Sequence, residues 1–151
     1  MATDKVYVGE LIMKKFKMIA SALASTVAMA SPVFAEWTEV ATGTEIGVNS
    51  GNTYYIDFDT VKENNGYVYY WDLEDLLKPD SDGDLSYKRL VEVDCGTPRK
   101  FRLLSEIWYA QPMASGSTSG GRNTASEWKY PQPDSVGVTI TNKVCDYAIW
   151  Q

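Results

Sequence analysis

A stretch whose side chains could do chemistry is 78-KPDSDGDLSYKR-89, in which Asp80, Asp82 and Asp84 alternate. Alternating carboxylates open an EF-hand calcium loop, which needs oxygen ligands at positions 1, 3 and 5, glycine at 6 and a bidentate glutamate at 12. Counted from Asp80, position 6 is Leu85 and position 12 is Val91, while Gly83 stands too early and Glu92 one residue late. The flanks also have the composition of strands, not helices. Pro79 followed by Asp82-Gly83 is turn chemistry, so the run is expected to be a polar hairpin loop. Weak, incidental calcium binding is the alternative.

Other chemistry finds little support. The chain has no histidine, so the commonest general base is missing. Its serines lie in loop-type segments without a nucleophile elbow, and no dinucleotide-binding or phosphate-binding glycine motif occurs. A carboxylate pair of the glycosidase kind remains as an alternative because acids are abundant, but no pair stands out. Haem would need a tyrosine or methionine ligand, and nothing singles one out. No catalytic, cofactor or metal residue is therefore assigned. The two cysteines, Cys95 and Cys145, are too far apart for a CxxC redox pair and have no companions for a metal site. In an exported chain an even pair implies a disulfide, here closing a long loop worth about 4 kcal/mol.

The remaining chemistry-bearing residues are aromatic. In 66-GYVYYWDLEDL-76, strand alternation puts Tyr67, Tyr69 and Trp71 on one face and Val68 and Tyr70 on the other. Tyr67, Tyr69, Tyr70 and Trp71 are the candidate binding surface, since exposed Tyr and Trp dominate interface energetics. The same side chains would serve as core and tail contacts, their commoner role. Stacking on carbohydrate is a third use.

Export is the clearest message of the N-terminal third. From Met13 the sequence reads MKKFKMIASALASTVAMASPVFA. Lys14, Lys15 and Lys17 form a positive region, an Ala-rich apolar run follows, and Val33-Phe34-Ala35 places small residues before a cleavage point. The run is shorter than the ~20 residues of a spanning helix. Residues 13–35 are thus expected to be a signal peptide, and 1–12 an extension from a start assigned upstream of Met13. No cysteine follows the apolar run, so no lipid anchor is expected, nor any stable membrane anchor after cleavage. Loss of residues 1–35 removes four lysines and two acids, leaving ten basic against eighteen acidic residues and a net charge of −8 over 36–151. Such a chain is a poor partner for nucleic acid or an anionic membrane surface.

The elements that would position these residues read as a single β-rich domain over 36–151. Strands are expected at 36–40, 53–58, 66–76, 85–95 and 99–110, with Asn65-Gly66 as a hairpin turn. Residues 114–123 (ASGSTSGGRN) have loop composition. The tail 135–146 is a helix or a last strand. Asp134-Ser135 would cap a helix, but VGVTIT is β-branched. Strands 66–75, 85–95 and 99–110 should neighbour one another in an antiparallel meander.

The order of these features resembles the bacterial surface-adhesin protein E-like domain family. The matching pieces are Tyr55-Ile56-Asp57, Ser86-Tyr87-Lys88, Asp94-Cys95, Arg102, Trp128, Pro133-x-Ser135 and Cys145, spread over 37–147. The resemblance implies a mainly β (α+β) fold: a small antiparallel sheet of five or six strands with a C-terminal helical segment pinned by Cys95–Cys145. It also implies surface exposure, dimers, and binding to host or matrix proteins. The founding adhesins are lipid-anchored, and this chain lacks the cysteine for that.

The function expected is an exported, non-catalytic binding module with a protein partner and no cofactor. It would sit in the periplasm or at the cell surface, and a homodimer is compatible with the family. A periplasmic accessory protein is the alternative. A carboxylate-dependent glycan-acting enzyme is the more distant one.

Overall fold

A computed structural model of the chain describes residues 35–43 and 51–149. The extension and nearly all of the expected signal peptide lie outside the described residues. Six strands form one sheet in sequence order: β1 (Trp37–Thr42), β2 (Thr53–Asn64), β3 (Tyr67–Asp75), β4 (Ser86–Asp94), β5 (Lys100–Tyr109) and β6 (Thr118–Arg122). Every neighbouring pair is antiparallel. A single described helix, α1 (Val136–Ile149), follows the sheet.

Local chemistry explains the turns. Asn65 (φ 53°) and Gly66 (φ 84°) both take left-handed backbone, the geometry of a two-residue hairpin whose twist matches its strands. In the aspartate loop, Asp80 Oδ1 accepts the backbone N–H groups of Asp82 and Asp84, each at 2.9 Å. The hydroxyl of Tyr87 donates to Asp80 Oδ2. Asp80 thus builds the turn with both oxygens, and Asp84 is buried and accepts from Ser119.

Alternation gives the sheet two unlike faces. On the inner face Tyr54, Ile56, Val68, Tyr70, Val91 and Val93 form the core with Ile140, Val144 and Cys145 of α1. Full burial of an aliphatic side chain of this kind stabilises by about 1.5–3 kcal/mol. A bulge in β2 between Asp57 and Lys62 breaks the register with β3. Phe58, on the same face as Tyr54 and Ile56, meets Tyr147 of the helix with ring centroids 4.8 Å apart, and the shifted register turns Val61 into the core. The disulfide Cys95–Cys145 ties the end of β4 to α1 with Cα atoms 5.6 Å apart.

One segment departs from the sequence expectations, and the tail takes one of the two forms left open for it. Residues 118–122 form an edge strand, not a flexible loop. Their glycines are there for contact: a Cβ on Gly120 would stand 2.6 Å from the Trp108 ring, and one on Gly121 2.6 Å from the Glu106 carbonyl oxygen. Only bare backbone lies that close to β5. The tail resolves to a helix despite its β-branched residues. Ser135 Oγ accepts the Val138 N–H at 3.3 Å and Thr141 Oγ1 donates to the Gly137 carbonyl at 2.8 Å. Burial of the stripe Ile140, Thr141, Val144, Cys145 outweighs the modest propensity cost.

Candidate functional site

The face of the sheet away from α1 carries the aromatic residues singled out in the sequence. Register places Trp37, Asp57, Trp71 and Leu90 side by side across β1 to β4. The ammonium of Lys88 lies 4.9 Å from the Trp71 ring centroid and 5.8 Å from that of Trp37. Asp57 between them is nearly buried, and its Oδ1 has no hydrogen-bond partner. Further along, Tyr67 stacks on Trp128 at 5.7 Å. Lys100 and Arg102 lie over the same Trp128 ring, at 4.9 and 4.6 Å.

Charges on this face are balanced within it. Glu92 accepts from Tyr69 at 2.6 Å and pairs with Arg102. Burial alone would push the Glu92 carboxyl up, but the hydrogen bonds from Arg102 and Tyr69 outweigh it and hold the group below its usual range. The bond to Glu92 in turn raises Tyr69. Asp94 and Lys100 approach to 3.5 Å. At the opposite end the turn Pro112–Ala114 folds onto the sheet. There Met113 N–H donates to Asp75 Oδ1 at 2.6 Å and Ala114 N–H to Ser86 Oγ at 2.9 Å. Between those ends, no described helix or strand lies across the aromatic row.

The four candidate surface residues therefore divide. Tyr67, Tyr69 and Trp71 share the outer face, half-buried by their neighbours. Tyr70 does not join them: it points into the inner face with 3 % of its surface exposed and belongs to the core cluster. Its inclusion in an exposed surface is corrected by burial: the face to which alternation assigns it is the one packed into the core with the helix.

The same period reveals what the sequence reading left out. Extended past Tyr70, it puts Asp72 and Glu74 on the inner face, with Arg89 opposite Asp72 on β4. Arg89 Nε donates to Asp72 Oδ1 at 2.8 Å and Nη1 to Glu74 Oε2 at 2.6 Å. Glu74 Oε1 also accepts from Tyr54 at 3.0 Å and Asn52 at 2.9 Å. Burial raises the Asp72 carboxyl, with Arg89 opposing the rise. Burial and then the charge of Glu74 raise the Tyr54 hydroxyl. Such a cluster is costly to dehydrate and is held by near-complete hydrogen bonding.

Among the described residues no three acidic or cysteine side chains gather as a metal cage, and no helix is long and apolar enough to cross a membrane. No curated protein matches the sequence. Similar solved structures include two of one protein. One is Haemophilus influenzae protein E in its crystal form II: 15 % identity, TM-score 0.51, with 72 % of this chain and 96 % of that one covered. The other is protein E from non-typeable H. influenzae: 12 % identity, TM-score 0.48, with 74 % and 88 % covered. At 15 % identity the first likeness is one of fold. Residues 37–146 match the surface-adhesin protein E family, and the chain belongs to it.

Proposed function

We propose that the chain is an exported, non-catalytic binding module of adhesin type, with residues 13–35 as its signal peptide and 36–151 as its binding domain. The outer face of the sheet docks an extracellular or envelope protein. The observation that carries this reading is the gathering of Trp37 of β1, Tyr67, Tyr69 and Trp71 of β3 and Trp128 of the segment after β6 onto one face, with no described helix or strand across its middle. Such side chains give large contact area at little entropic cost. Glu92 is paired with Arg102 and Asp94 with Lys100, so covering that end of the face leaves few uncompensated ions there. Family membership supports a surface adhesin-like role and an exported or surface location.

The test is binding of the purified protein to a panel of immobilised extracellular-matrix proteins, with Trp37→Ala/Trp71→Ala as the outer-face variant and Tyr70→Phe as the inner-face control. A partner bound by the wild type should lose at least tenfold in affinity with the double variant and little with Tyr70→Phe. Full binding by a folded double variant would remove the outer face from the mechanism. Absence of any wild-type binding would count against the adhesin role itself.

A further inference from the structure

The inner face is not filled along its whole length. Where α1 begins, a partly open cavity of about 330 Å³ lies between helix and sheet. Its walls are apolar, from Val91, Phe101 and Leu103 on the sheet and Val136 and Ile140 on the helix. Its floor is the Asp72–Glu74–Arg89 cluster with Tyr54 and Tyr70, and Lys129 stands among its lining residues. An apolar chamber with a few convergent polar groups is the usual architecture of a small-molecule site.

The floor has a definite chemical bias. Two carboxylates face one guanidinium at the floor, with Lys129 the second cation of the lining. Glu74 already takes protons from Arg89, Tyr54 and Asn52, whereas Asp72 takes them from Arg89 alone, the second of its two bonds stretched to 3.4 Å. Tyr70 is more than nine-tenths buried and lines the cavity, yet its hydroxyl makes no side-chain hydrogen bond among the described residues. Packing alone would be served as well by phenylalanine there.

We propose that this cavity is a binding site for a small apolar primary amine, its ammonium held by Asp72 and the Tyr70 hydroxyl and its carbon body against Phe101, Leu103 and Ile140. An incoming ammonium supplies the donors that Asp72 lacks. The rings of Tyr54 and Tyr70 add cation–π attraction in a desolvated setting. Binding at this site leaves the outer face free, so the two surfaces act independently.

The discriminating experiment is titration of the full-length protein with three probes of matched shape: phenethylamine, 2-phenylethanol and 3-phenylpropionate. Affinity is read by calorimetry and location by amide chemical shifts. The amine should bind at least tenfold more tightly than either analogue, with shifts centred on Val91, Ile140 and Thr141. Tyr70→Phe should weaken the amine several-fold without lowering the melting temperature. Equal or tighter binding of the alcohol or carboxylate, no binding of the amine, or shifts centred on Trp71 and Tyr69 would each overturn the proposal. Undiminished amine affinity in Tyr70→Phe would overturn the part assigned to that hydroxyl. Asp72→Asn disturbs the Arg89 pair and is therefore not the deciding variant.

Discussion

Arg89→Met is the perturbation with the largest effect to be read from this structure. The side chain is only 15 % exposed, and its partners Asp72 and Glu74 are 6 % and 9 % exposed. Methionine keeps most of the volume and removes the only cation paired with either carboxylate among the described residues. Breaking a buried pair from one side typically costs about 3–5 kcal/mol, against a total stability of about 5–15 kcal/mol for a domain. With a urea slope of about 1.5 kcal/mol per molar, a loss of about 4 kcal/mol lowers the midpoint by about 2.5 M at pH 7.5. The sign of the pH dependence follows from Asp72. Its carboxyl is raised by burial, and Arg89 opposes that rise, so the variant's native state holds protons at pH values where the unfolded chain has released them. A carboxyl raised in the folded state costs its full amount above its folded value, and that cost shrinks as pH falls from there toward its unfolded value. The variant should therefore regain stability on acidification toward pH 5, at about 1.4 kcal/mol per pH unit for each proton bound. Urea denaturation at several pH values measures both effects. A midpoint at pH 7.5 within about 0.3 M of wild type, the width of a neutral surface substitution at that slope, would refute the buried-pair reasoning. So would a midpoint shift that does not shrink on acidification.

Four further outcomes follow from other parts of the molecule. Cys95→Ala/Cys145→Ala opens a loop with a sequence separation of 50, and urea denaturation should show a loss of about 4 kcal/mol on the chain-entropy account. Glu92 has a depressed folded value, so its contribution is complete above its ordinary value near 4.5 and fades as pH falls through the lower folded one. Glu92→Gln should therefore flatten the acid limb of the stability profile below pH ~4.5, as followed by circular dichroism. Ile56→Ala, at a fully buried core position, should cost about 2–5 kcal/mol in the same urea assay. Protease treatment of intact cells should remove the protein if it is displayed outside, whereas survival until the outer envelope is opened would place it in the periplasm.

Much of the architecture was legible in the chain because it rests on local rules. Asn65-Gly66 could only be a tight turn, the alternation of 66–76 marked a strand, and the aspartate run lacked the glycine and glutamate of a calcium loop. The pair Cys95–Cys145 followed from an even cysteine count together with the expectation of export. The same rules left the tail open between helix and strand, since its β-branched residues and its Ser135 cap argue in opposite directions. Packing against Tyr54, Ile56 and Val68 decided it. Residues 118–122 were misread for a related reason: glycine signals flexibility in isolation, and close approach only when Trp108 and the Glu106 carbonyl lie beside it.

The sequence by itself determined which residues alternate, where the turns fall and how the charge is balanced, because these depend on bond geometry and side-chain type within a few residues. Only the tertiary structure decided which of the two strand faces meets the helix. That choice sent Tyr70 inward, brought Asp72, Glu74 and Arg89 together from separate strands, and assembled Trp37, Tyr67, Trp71 and Trp128 on the outside. Contacts between residues far apart in the chain are set by the burial of a whole face, and no local rule fixes them.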